Sequence, residues 1–328
     1  MKIRWLLILL GGLAAIGFYS LLVGSVSIPA GDAIDGLLGR DDPRVITVIR
    51  EIRLPRMLLG LFVGAAFGVS GAALQGLLRN PLAEPGLVGT SASAGLGAVI
   101  AFYFGWAAAF PLALPLAAMT TAAVGTLLLL LITGRHGGTL TMILAGVAIS
   151  SLAVALTSLA MNLSPNPYAL SEIVLWLMGS LKDRSFLDVE LAAPFVLAGS
   201  AVLMFCGRGL DALTLGEEAA SSLGVDLPRL RYAVVLGSAL AVGGAVATAG
   251  AVGFVGLVVP HLLRPLVRHR PSLLLAPSAI GGALLVTTAD VSVRLIPSSS
   301  EVMLGVLTSL VGAPFFLLLL LKLRRSHS

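Results

Sequence analysis

Charge is scarce in this chain, and so are cysteine and the motifs of nucleotide chemistry. Asp, Glu, Lys and Arg make up only 11% of 328 residues, where a soluble domain carries about 25%. Too few charges remain to cover an aqueous surface, which excludes a soluble globular protein. One cysteine, Cys206, excludes an internal disulfide and any multi-cysteine metal site. There is no GxxxxGKS or GxxxxGKT, so the chain does not hold ATP through a phosphate loop, and there is no HExxH. The apolar runs hold almost no ionisable side chain near their middles, which argues against a proton- or sodium-coupled relay. They also hold no nucleophile or metal cluster, which removes an intramembrane enzyme. No catalytic residue, metal ligand or cofactor is assigned.

What is present is hydrocarbon. Hydrophobic residues make up 57%, mean hydropathy is +1.02, and apolar runs of 18 or more residues recur from end to end. The fold expected is all-α, a polytopic membrane protein with about ten spans, at 5–25, 54–78, 87–106, 108–133, 140–162, 190–207, 232–252, 254–267, 273–294 and 302–322. Lys2 and Arg4 ahead of the first run resemble the start of a signal peptide, but the run is long for one and is read as a helix.

Lysine and arginine fix the orientation. With both termini in the cytoplasm, the inner segments collect more of them (Arg79, Arg208, Arg229, Arg231, Arg264, Arg268 and Arg270 among others) than the outer ones, which obeys the positive-inside rule. The outer set is Arg40, Arg44, Arg50, Arg53, Arg56, Lys182, Arg184 and Arg294. Asp290 and Arg294, one helical turn apart near an outer end, are placed to pair. A pI of 9.9 on so little aqueous surface points to loops facing anionic lipid heads, not to nucleic acid.

Three local patterns carry more information. GLFVGAAFG sets Gly60, Gly64 and Gly68 four apart, so they share one helix face and admit a second backbone closely. RNPLAEPG, residues 79–86, puts an amide, two prolines and two charges between two apolar spans; Pro81 and Pro85 stiffen it, and Glu84 is placed to cap the next helix or to pair with Arg79. The long inner segment 208–231 contains TLGEEAASSLGV, which reads as a short helix capped by Thr214 with Glu217 three residues on, stopped at Gly224 before Pro228. Two acids near its start suit the macrodipole and repel anionic lipid, so the helix is read as a docking element for a cytoplasmic partner.

Seven stretches in order resemble one family: IRLPR at 52–56, GLLRNPLAEPGLVGTSASAG at 76–95, LAGVAIS at 144–150, LWLMGSL at 175–181, LGEEAASSLGV at 215–225, GAVGFVGLVVPHLLRPLVRH at 250–269 and LGVLTSLVGAPFFLLLL at 304–320. They are similar to the FecCD-type permease subunits of type II ABC importers, which carry iron complexes, haem and cobalamin. The resemblance spans nearly the whole chain and implies one transmembrane permease domain over 1–328. It further implies a multi-pass protein of the bacterial inner membrane and a homodimer with the pathway between copies. The implied partners are two cytoplasmic ATPase subunits and a periplasmic substrate-binding protein.

Residue by residue, the resemblance implies an ATPase-coupling helix with Glu217, Glu218, Ala219, Ser221, Leu223 and Gly224 as its contact surface. It implies docking of the binding protein at Arg53, Arg56 and Arg294, and a cytoplasmic gate at Asn80 and Leu82 together with Thr139 and Leu140. Hydrolysis belongs to the partner, so the chain is not itself an enzyme. Which metal chelate is carried stays open. Met161, Tyr168 and Met178 lie on the outer side as packing residues, and no outer histidine offers a haem ligand. The alternative is a stand-alone secondary transporter or channel.

Overall fold

The computed structural model describes residues 3–24, 26–134, 137–164, 166–297 and 301–326; Lys2, Arg135 and the side chains of residues 3, 320 and 322–326 lie outside that description. The helices in order are α1 (Ile3–Leu22), α2 (Ala30–Leu38), α3 (Pro43–Thr47), α4 (Leu54–Leu77), α5 (Thr90–Tyr103), α6 (Trp106–Ala109), α7 (Ala113–Thr133), α8 (Thr139–Asn162), α9 (Pro167–Leu177), α10 (Phe186–Phe205), α11 (Gly207–Leu213), α12 (Glu217–Ser222), α13 (Leu227–Ala249), α14 (Val255–Leu263), α15 (Pro271–Leu295) and α16 (Leu304–Ser326). A π-helical stretch, Val48–Arg53, joins α3 to α4, and 3-10 turns occupy Pro85–Val88 and Arg264–Val267.

Each of the ten expected spans contains a helix. Among the described residues, seven helical segments are long and apolar enough to cross a membrane. The expected span 87–106 shortens to α5, because Pro85–Val88 forms a 3-10 turn and Gly89, at φ 82, starts the α-helix afresh. The expected span 254–267 is the nine-residue α14 continued by a 3-10 turn. Pro228 does not delay the following helix: α13 begins at Leu227, with the Asp226 carboxylate accepting from the Arg229 amide at 3.0 Å. On the outer side, α2, α3 and α9 were not legible as separate helices. Each is short, and α9 is opened by Asn166, whose side chain accepts from the Tyr168 amide at 2.9 Å.

Burial sorts the helices. α4 and α13 are the central pair, with 72% of their most apolar windows buried, whereas α1 lies at the edge with 17%. Lipid offers helices no hydrophobic reason to associate, so close backbone contact must hold them. The glycine face of α4 meets α15. A methyl group at Gly64 would lie 2.2 Å from the Gly282 carbonyl oxygen, and one at Gly68 would lie 2.0 Å from that of Ser278. At Gly60 the nearest atom is the Thr287 hydroxyl at 3.3 Å, so this position is less crowded. The expected common face is therefore real, and its tightest part is at Gly64 and Gly68.

Candidate functional site

At the outer end, Arg53, Arg56 and Arg294 gather around a cavity of about 410 Å³ that Lys182, Asp183 and Glu301 also line. They do not reach outward. Arg53 is 5% exposed and Arg56 9%. Arg56 Nε donates to both Asp290 carboxylate oxygens, at 2.9 and 3.1 Å, and its terminal nitrogens pair with Glu301. Arg294 Nη2 lies 2.9 Å from Asp290 Oδ2, the pairing that their spacing suggested.

The remaining donors of this cluster close a helix end. Arg294 Nη1 donates to the carbonyls of Ser20 at 2.9 Å and Val23 at 2.7 Å, and Nη2 donates to the Ser20 hydroxyl at 2.6 Å. Arg53 donates to the carbonyls of Leu21, at 2.6 Å, and Val26. The last carbonyls of a helix lack intrahelical partners and carry the negative end of its dipole, so two guanidinium groups satisfy both needs. These side chains are buried and bonded internally because two carboxylates and four carbonyls converge on the same point.

At the inner end, RNPLAEPG resolves into four consecutive devices. Arg79 takes a left-handed φ of 47, the Asn80 amide donates to Gln75 O and the Arg79 amide to Gly76 O, which together form a Schellman stop for α4. The Asn80 side-chain oxygen then accepts from the Leu82 amide at 2.9 Å, while the Ala83 amide donates to Asn80 O. Pro85 opens the 3-10 turn, which packs on α8: the Ser150 hydroxyl donates to Gly86 O, and Gly146 sits against Leu87 O. Glu84 neither caps the turn with its side chain nor pairs with Arg79. Burial pushes its carboxyl above the usual range, opposed by a hydrogen bond from the Phe254 backbone. Asn80 and Leu82 are half-buried in this turn, while Thr139 and Leu140 form the first residues of α8, with Leu140 exposed.

Between the two ends, Glu84, Pro85 and Gly86 line a cavity of about 750 Å³ together with Phe67, Met178, Phe254 and one face of α16. Met178 lines this space rather than only packing, and Tyr168 is 84% exposed.

The inner helix expected within 215–225 is α12. Thr214 does not cap it: its hydroxyl donates to Asp211 O at 2.7 Å, closing α11, and the chain turns at Gly216, φ 107, before Glu217 begins the helix. The stop is as expected. Gly224 has φ 86, its amide donates to Ser221 O, and the Val225 amide donates to Ala220 O. Ala220 is buried beneath it, while Glu218, Ser221, Leu223 and Gly224 are exposed and Glu217 and Ala219 are half-buried. Leu215 and Leu223, 68% and 65% exposed, flank the acidic turn, an apolar-and-acidic composition suited to a protein partner. Asp211 anchors this region to α15. Burial opposes its charge, but hydrogen bonds from the Ser272 hydroxyl and amide, at 2.6 and 2.8 Å, and from Arg270 outweigh that and hold its carboxyl below the usual range.

Comparison with known proteins places this architecture. Residues 12–322 match the model of the FecCD transport family. The chain is 37% identical to the Fe(3+) dicitrate transport system permease protein FecD of Escherichia coli K12, over 99% of this chain and 100% of that one. It is 40% identical to the cobalamin import system permease protein BtuC of Halobacterium salinarum, over 83% of this chain and 73% of that one. A solved structure described as an inward-facing conformation of a metal-chelate type ABC transporter superposes with a TM-score of 0.87 at 33% identity, covering 97% of this chain and 99% of that one. The chain therefore belongs to the FecCD transport family, as a multi-pass permease subunit of a bacterial inner-membrane ABC importer whose ATPase activity resides in a separate subunit.

Proposed function

We propose that the whole chain, residues 1–328, acts as one permease domain that pairs with a second copy and passes a bulky metal chelate between them, from periplasm to cytoplasm. Two cytoplasmic ATPase subunits drive it and a periplasmic binding protein feeds it. The observation that carries this reading is α12, a short acidic helix seated on the inner surface by Ala220 and Glu217, with Glu218, Ser221, Leu223 and Gly224 exposed. Glu217, Glu218, Ala219, Ser221, Leu223 and Gly224 form the surface that the ATPase moves. Asn80 and Leu82, in a turn stiffened by Pro81, and Thr139 and Leu140 beside it form the inner gate. The outer face around Arg53, Arg56 and Arg294 receives the binding protein; as the three side chains are internally paired, their part is to hold the ends of α1, α4 and α15 in one shape for that contact. Among the cargo candidates, a ferric chelate and a cobalamin are supported by the names of the relatives and haem by the family resemblance, and the apolar, roomy lining beside α16 suits any of these bulky ligands.

The test is reconstitution of the full chain in vesicles with its ATPase subunits and binding protein, using ferric citrate, cyanocobalamin and haem as separate probes. ATP-dependent uptake of one probe, abolished when 215–225 is replaced by a glycine-serine linker, is the expected result. Uphill accumulation by the permease alone, without nucleotide, would overturn it.

A further inference from the structure

Arg231 stands in the first turns of α13 and touches two distant segments at once. Its Nη2 lies 2.9 Å from Glu217 Oε2 in α12, and its Nη1 donates to Gly137 O at 2.7 Å. Gly137 lies two residues ahead of Thr139, where α8 starts. The Arg231 side chain is 17% exposed and Glu217 38%, so the pair is sheltered but not sealed.

We propose that Arg231 is the positioning residue that transmits movement of the docking helix to the gate residues at the start of α8. This rests on the reading of α12 and of Thr139–Leu140 given above. Three features carry it. First, the guanidinium is planar and rigid, so two nitrogens of one group fix Glu217 and Gly137 relative to each other, which a lone ammonium would do less well. Second, Gly137 is packed closely on the end of α7, where a methyl group would lie 1.9 Å from Thr133 O, so this position touches α7 as well as Arg231. Third, the base of the lever is fixed, because α13 is the most buried helix beside α4. A shift of α12 therefore breaks the Arg231–Glu217 contact or drags the Gly137 carbonyl with it. Of the contact residues on α12, Glu217 is the one tied inward, while Glu218 is free to face the partner.

The experiment uses the full-length homodimer assembled with its ATPase subunits, with Cys206→Ser and Thr141→Cys as the sole thiol, Thr141 being exposed on the first turn of α8. The rate of labelling by a water-soluble maleimide is compared with and without ATP trapped by orthovanadate, alongside ATP hydrolysis. The unsubstituted chain is expected to change its labelling rate on trapping. In Arg231→Ala that nucleotide response should shrink roughly tenfold, about what one charge-assisted hydrogen bond contributes to an equilibrium, while ATP hydrolysis and ATPase binding persist.

The Arg231→Lys variant keeps a charge opposite Glu217 but cannot hold two fixed nitrogens in one plane, so it should restore the response only in part. A full response in Arg231→Ala or in Arg231→Lys overturns the transmission role alone. Absence of any nucleotide response in the unsubstituted chain overturns the gate reading and this proposal with it.

Discussion

Arg56 of α4 and Asp290 of α15 are 234 residues apart in sequence, yet the Arg56 Nε donates to Asp290 Oδ1 at 2.9 Å. Asp290 is 2% exposed and shared with Arg294, while Arg56 is shared with Glu301, so two arginines and two carboxylates pair in one cluster that Arg53 borders. Removing one partner leaves an uncompensated charge, which costs about 3–5 kcal/mol. Arg56→Met and Asp290→Leu should each lower the midpoint of thermal unfolding in detergent. The double variant, which keeps Arg294 opposite Glu301, should lose less than the two singles combined. Strict additivity would argue against a coupled cluster.

The crossing of α4 and α15 predicts an unequal response along one glycine face. Gly64→Ala and Gly68→Ala each drive a methyl group into backbone, and overpacking of that kind costs about 1–3 kcal/mol or more. Gly60→Ala meets the Thr287 hydroxyl at 3.3 Å and the Leu181 methyl at 3.5 Å, both side-chain ends that can shift, and should be nearly silent. Thermal unfolding of the three purified variants ranks them directly.

Phe254 and Gly312 give a paired prediction. Phe254 holds a left-handed φ of 65, and a methyl group at Gly312 would lie 2.2 Å from the Phe254 Cβ. Gly312→Ala should destabilise the protein by about 1–3 kcal/mol. Phe254→Gly, which suits the positive φ and removes that Cβ, should restore much of the loss when combined with it. Failure of the combination to recover stability would place the clash elsewhere.

Asp211 sets a pH dependence. Its folded carboxyl titrates below the ordinary value of about 3.9. A depressed acid contributes stability in full above that ordinary value and loses it as the pH falls through the folded one. Asp211→Asn should therefore cost about 1 kcal/mol near neutral pH, the scale of a lost helix-start contact. The gap between variant and unsubstituted protein should narrow as the pH is lowered below the ordinary carboxylate value, read by unfolding midpoints across that range.

Much of this architecture was legible because it depends on local chemistry. Apolar length located the helical segments, the i, i+4 spacing of Asp290 and Arg294 anticipated their contact, and Gly224 marked the end of α12. Thr214 misled, since a capping-box pattern does not say whether the preceding helix will claim the hydroxyl first. Glu84 misled in a similar way, because the backbone of Phe254, far off in sequence, offered a better donor than Arg79. The internal partners of the outer arginines were not legible, because Asp290, Glu301 and the carbonyls ending α1 come from segments far apart in the chain.

Composition and spacing alone determined that this is a helical membrane protein, where its long apolar helices run and where its short inner helix stops; seven motifs in order carried the family resemblance. Hydrocarbon solvent forces that outcome, since each span must satisfy its own backbone. Only the tertiary structure decided that Arg56 answers Asp290 and Glu301, that Gly64 touches Gly282, and that Arg231 holds Glu217 and Gly137 together. Those contacts join segments far apart in the chain, and no local pattern encodes which carbonyl or carboxylate arrives within 3 Å once helices have packed.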